Sequence, residues 1–150
     1  MRGRGFRITP VGVVVCLLIF PFLARGQSEE KFIGEVRVMN VVEVECTRKE
    51  GIYEIRFRDV KKRRFAKYRS FHFPEEDKNY YKLKKMVLGG FDNVPEEPIS
   101  VEFAKENVEL EFTKSAGMTS FRFVLIEGKK DKRIYSSWFS EGKAEKLFGI

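Results

Sequence analysis

Histidine is almost missing from this chain: His72 is the only one, and cysteine is limited to Cys16 and Cys46. Nucleophilic triads and zinc sites draw mostly on those two residue types, so such chemistry would have to be built around His72 and Cys46. No nucleophile signature surrounds Cys46. It falls beside Val44 on the apolar side of an alternating stretch and reads as a small buried hydrophobe. His72 lies between Phe71 and Phe73; with both rings inward, the imidazole points to water. A glycine-rich phosphate loop is lacking too, because Gly89-Gly90 follows a helical pattern instead of opening one. No metal and no cofactor are expected.

Long apolar runs are also scarce. The one present, Val11 to Leu23, is 13 residues long, short of the ~20 that a spanning helix needs. Arg2, Arg4 and Arg7 precede it, and Ala24-Arg25-Gly26 places small residues at −3 and −1 before Gln27. That order predicts an export signal over residues 1–26. The expected product is secreted or periplasmic after cleavage near Gly26; uncleaved, the same run would tether the protein to a membrane. Removing Cys16 with the leader leaves Cys46 alone, which excludes an internal disulfide and hence a disulfide scaffold.

Basic charge shrinks on the same reading. The whole chain has 29 Lys+Arg against 22 Asp+Glu, a formal +7. Arg2, Arg4, Arg7 and Arg25 belong to the leader, so 25 bases face 22 acids afterwards. The remaining protein is only mildly basic, and export makes nucleic acid an unlikely partner. Residues 27–33 read as a flexible polar leader, and residues 34–150 as a single β-rich globular domain of ordinary size.

What the chain does have is period-two alternation. Glu35 to Cys46 reads as one long strand with Val36, Val38, Val42 and Val44 on one face. Lys49-Glu50-Gly51 then turns into Tyr53, Ile55 and Phe57, and a weaker strand covers Phe65 to Phe73. Ile99-Val101-Phe103, Val108-Leu110-Phe112, Phe121-Phe123-Leu125 and Ile134-Ser136-Trp138 continue the pattern. The strings Val101-Glu-Phe-Ala-Lys and Leu110-Glu-Phe-Thr-Lys look alike because both are strands of one hairpin. Pro74 opens a helix that Gly89-Gly90 stops, with Tyr80, Leu83 and Val87 on one face. Ser140 caps a short second helix carrying Ala144, Leu147 and Phe148. The fold class is mainly β, with α+β as its variant: about seven antiparallel strands forming a sandwich or partly open barrel, one mid-chain helix and one short C-terminal helix.

One constellation rises above background. Arg56 to Arg69 holds eight bases and one acid, Asp59, with Phe57, Phe65 and Tyr68 interleaved. Lys61, Lys62, Arg63, Arg64 and Tyr68 form the candidate binding set, suited to anionic polysaccharide, lipid headgroups or an envelope protein. Its bland counterpart is a solvated hairpin tip, with Arg56 and Arg58 facing water. A second basic tip, Lys129, Lys130, Lys132 and Arg133, extends the patch if it lies close. The expected function is therefore non-enzymatic binding or structural association at the cell envelope or beyond. A lipocalin-like carrier, lidded by Pro74 to Leu88, is one alternative. A hydrolase using Glu43, Glu45, Glu109 and Glu111 is the other, since paired strand carboxylates fall ~7 Å apart.

Overall fold

In the computed structural model, which describes residues 29–150 apart from 66, 104, 105 and 129, Met39 and Asn40 both take left-handed backbone angles (φ 48° and 65°). The side chains of Arg63 and Arg64 lie outside the description, as does the predicted signal over residues 1–26. At Met39-Asn40 the stretch that alternates like one long strand reverses into two, β1 (Lys31–Val38) and β2 (Val41–Lys49). Alternation survives the reversal because Arg37 pairs with Val42 while Val36 pairs with Val44. Glu43 is the extra residue of that bulge, and it returns Val36 and Val44 to one buried face. Lys31 to Ile33, assigned above to the leader, already belong to β1.

β3 (Ile52–Arg58) and β4 (Tyr68–Pro74) complete a four-stranded antiparallel sheet in the order β1-β2-β3-β4. Pro74 thus ends a strand, paired with Ile52, and starts no helix. α1 runs over Asn79–Asp92, straight through Gly89-Gly90. Gly90 serves contact there: a Cβ on it would stand 2.2 Å from Cζ of Phe112. The predicted stop signal is a site where a ring meets a bare helix backbone.

A second sheet follows from β5 (Ile99–Phe103), β6 (Glu106–Ser115), β7 (Met118–Glu127) and β8 (Lys132–Tyr135) in sequence order. β9 (Phe139–Ser140) pairs with β7 beside the stretch that holds β8. β8 and β9 are therefore one edge strand interrupted at Ser136–Trp138. Ser136 bridges the gap: its Oγ accepts the Phe123 N–H at 2.9 Å and donates to the Ser137 carbonyl at 2.9 Å. α2 (Glu141–Leu147) follows, with Ser140 at its N-cap position and Ala144, Leu147 and Phe148 buried. The fold is mainly β: the described residues form nine antiparallel strands in two sheets, two helices and no closed barrel.

Four strands and a helix thus occur twice. At one constant shift Glu43 falls on Glu109, Glu45 on Glu111, Thr47 on Thr113, Gly51 on Gly117, and Arg56-Phe57 on Arg122-Phe123. Pairing obeys the same shift: Val44 faces Phe57 as Leu110 faces Phe123, and Glu45 faces Arg56 as Glu111 faces Arg122. Gly51 and Gly117 close equivalent two-residue turns at φ 75° and 80°, the left-handed geometry that glycine adopts without strain. β5 and β6, whose likeness drew attention in the sequence, are indeed hairpin partners. The larger repeat is the whole ββββα unit.

Phenylalanine joins the two units. Phe71 and Phe73 of β4 stack on Phe103 of β5 at 6.0 and 4.7 Å, and Phe71 and Phe57 meet Phe123 of β7. The rings expected to line a carrier's cavity pack against one another. Each helix also reaches the other unit: α1 touches β6 and β7, and α2 touches β1 and β2. Tyr80 of α1 stacks on Tyr53 at 4.6 Å and donates its hydroxyl to the Phe148 carbonyl at 2.9 Å.

Candidate functional site

Asp59 organises the basic segment. This buried carboxylate accepts the Lys61 N–H at 2.9 Å, while its own N–H donates to the Lys67 carbonyl and its carbonyl accepts the Lys62 N–H. An Asx turn of this kind folds a loop locally without needing a core. Residues Val60–Phe65 become short 3-10 turns kinked at Lys62. Lys61, Lys62 and Lys67 are exposed, and Phe65, assigned above to a strand, is 80% exposed on the turn.

The segment rests on β8, which brings the second basic tip alongside. The Lys61 ammonium lies 4.7 Å from the centroid of the Tyr135 ring. The Arg122 guanidinium is 4.3 Å from that same ring and 4.4 Å from the Trp138 ring. Lys61, Tyr135, Arg122 and Trp138 thus form a row of alternating cations and aromatic rings. Glu111 fixes Arg122 through an Nε–Oε2 hydrogen bond of 2.6 Å. Arg69 reaches Glu127 at 3.5 Å, and Ser137 donates to Glu43 at 2.6 Å, so polar contacts from both units close the seam.

Tyr68 does not join Lys61. It sits on the outer face of the first sheet, donating its hydroxyl to the Val42 carbonyl at 3.0 Å, with Arg56 5.0 Å over its ring. Glu45, Arg56 and Tyr68 are the first unit's version of Glu111, Arg122 and Tyr135. What the first unit lacks is the tryptophan. Trp138 is placed by the interruption between β8 and β9, and no alternation rule assigns a face to a residue in a break. Arg122 carried a signal in retrospect as the shift-equivalent of Arg56, whereas Tyr135 matches Tyr68 only through strand pairing, Val124 facing Tyr135 as Arg58 faces Tyr68.

Arginine and lysine part company here. Every arginine with a described side chain forms an ion pair, including Arg56 with Glu45 at 2.7 Å and Arg58 with Glu43 at 3.2 Å. Arg56 and Arg58 are therefore cross-strand partners, not side chains merely facing water. Arg133 of the second tip is held bidentately by Glu109 at 2.7 and 3.0 Å, which raises its pKa further. No lysine forms an ion pair among the described residues. Lys62, Lys67, Lys130 and Lys132 all present exposed ammonium groups at this end, with Asp131 the exposed acid of the β7–β8 turn.

The remaining candidates are accounted for individually. Glu43, Glu45, Glu109 and Glu111 each accept hydrogen bonds or ion pairs from arginine. Cys46 is fully buried, and burial pushes its thiol up to about 12, so the nucleophilic thiolate is suppressed. His72 does face outward, yet Glu106 and Glu54 bracket its ring at 3.4 and 3.5 Å, and its backbone N–H donates to Glu106 at 2.6 Å. That carboxylate caps the open edge of β4. Among the described residues no cluster suited to a metal ion occurs, and no helix is long and apolar enough to cross a membrane. No family model matches this chain, and no curated protein or solved structure matches it either.

Proposed function

We propose that the protein is an exported, non-enzymatic binding module that takes anionic polymers or anionic headgroups at the cell envelope or outside the cell. The observation that carries this reading is the seam at which Lys61 of the first unit lies over Tyr135 of the second. It merges two basic tips that are far apart in sequence into one surface. Lysines there are not neutralised by described carboxylates, whereas arginines elsewhere on the sheets are. Partner phosphate, sulfate or carboxylate groups supply the missing countercharge. The candidate set becomes Lys61, Lys62, Arg63 and Arg64 together with Tyr135 and Trp138.

Two features favour binding over the alternatives. A carrier needs a hollow interior, and here the phenylalanines of both sheets stack on each other. A two-carboxylate hydrolase needs both carboxyl groups free to reach a substrate, and here arginine engages each of Glu43, Glu45, Glu109 and Glu111.

Titration against dextran sulfate at rising salt tests the reading. Binding is expected to weaken steeply as screening shortens from about 10 Å at 0.1 M to about 3 Å at 1 M salt. Reversing Lys61, Lys62, Arg63 and Arg64 to glutamate is expected to lower affinity at least about ten-fold, since each lost contact with a charged group is worth on the order of 1 kcal/mol. Unchanged affinity in a variant of native circular dichroism rejects the surface. Export is tested separately, by the N-terminal sequence of protein recovered outside the cytosol; a start at Gln27 is expected.

A further inference from the structure

We infer that the partner of this surface is an anionic lipid bilayer, and that Phe65 is the residue that enters it; the inference rests on the binding role proposed above. Strand register decides which turns share an end of the molecule. Val44 pairs with Phe57 and Phe57 with Arg69, so the Met39-Asn40 turn and the Val60–Phe65 segment lie at the same end of the first sheet. Contact of that segment with β8 and the Arg69–Glu127 pair add the Gly128–Asp131 turn of the second sheet to the same end. Exposed apolar side chains gather there: Phe65 at 80%, Met39 at 94% and Val38 at 42%. The same end carries the exposed Lys61, Lys62, Lys67, Lys130 and Lys132.

The opposite end of the first sheet is mixed in charge, with Lys31, Arg48, Lys49 and Lys78 beside its acids. Glu29, Glu30 and Glu50 cluster around the start of β1, and Glu75, Glu76 and Asp77 follow the end of β4. Phe32 and Ile52 are exposed at that end too (57% and 49%), but acids outnumber bases around them, so the lysine-rich end that carries Phe65 is the one that turns toward a negative surface. A hydrated polyanion would satisfy the lysines and leave Phe65 and Met39 in water. A bilayer interface satisfies both, by headgroup charge and by burial of apolar area at the acyl boundary. Asp59 holds the segment in place before binding, so ordering it costs little at the moment of contact.

Co-sedimentation with vesicles of equal parts phosphatidylglycerol and phosphatidylcholine tests this on the full chain. Phe65→Ala is expected to reduce partitioning about ten-fold, the value of removing one ring from apolar burial. Phe65→Trp is expected to be quenched by brominated acyl chains, and Ile52→Trp, at the opposite end, is not. Phe65→Ala binding as tightly as the parent, or a quenching pattern favouring position 52, overturns the lipid assignment. Dextran sulfate separates the two readings. Binding to it with no binding to vesicles removes the bilayer and leaves the polyanion surface standing; binding to neither removes both.

Discussion

The two ββββα units begin alike and end differently, and the difference lies in their last strands. In the first, β4 runs unbroken over Tyr68–Pro74 and hands the chain to a 14-residue helix. In the second, the matching edge strand breaks at Ser136–Trp138 and leads to a seven-residue helix. The break turns Ser137 toward Glu43 of the first unit and sets Trp138 against Arg122. One architecture thus supplies an ion-paired outer wall in both copies, and in the second the cation-aromatic contact is extended to a tryptophan. A second contrast concerns helix seats. Gly34 and Cys46, paired across β1 and β2, are small where α2 docks, whereas the counterpart of Cys46 is Phe112, which meets α1 at Gly90.

The seats yield the largest expected effects. Gly34→Ala places a Cβ 2.0 Å from the Lys146 carbonyl oxygen and 2.7 Å from that of Leu147. Both obstacles are backbone, so relief requires α2 to leave the sheet. A loss of about 3 kcal/mol or more is expected in urea unfolding; a neutral result would show that α2 is not seated there. Gly90→Ala meets a ring, which can tilt, and a loss of about 1–2 kcal/mol remains after the gain in helix propensity. Its neighbour is the control: with nothing within 4 Å of the new methyl, Gly89→Ala is expected to stabilise by about 1 kcal/mol.

Cys46 sharpens the same contrast through pH. Burial raises the thiol from its ordinary 9.0 to about 12, so the folded protein keeps a proton that the unfolded chain releases. This contribution is complete below pH 9 and is lost as pH rises toward 12. By about pH 10 the total loss reaches about 1.4 kcal/mol, measured as a shift in the urea midpoint. Cys46→Ala removes that part of the slope. Tyr80 and Tyr53, both raised by burial, add their own alkaline losses at higher pH. The smallest effect separates the two arginines. Arg56→Ala and Arg122→Ala are each expected to cost about 0.5 kcal/mol as half-exposed ion pairs, yet only Arg122→Ala changes Trp138 emission. Equal spectra from both variants would break up the proposed row.

Alternation made both sheets readable because it reports which side of a strand is wet, and that depends on neighbours two residues away. It hid the Met39-Asn40 reversal for the same reason: a bulge restored the parity that a turn would otherwise have broken. The short C-terminal helix followed from its own apolar spacing. α1 was misplaced at both ends. Pro74 is held by pairing to Ile52, and Gly90 by a ring from β6, and neither constraint is local. Lys61 and Lys62 were visible as a charge run, but Phe65 read as strand and Trp138 as a regular strand position.

By itself, then, the sequence determined where apolar faces lie, where hairpins reverse at Gly51 and Gly117, and that Cys46 is buried. Those properties are set by side chains a few residues apart. Only tertiary structure decided that Lys61 meets Tyr135, that α2 sits on Gly34 and that each arginine with a described side chain finds its carboxylate. Such contacts join residues distant in the chain, and they form once the aromatic faces of two similar sheets are driven out of water against each other.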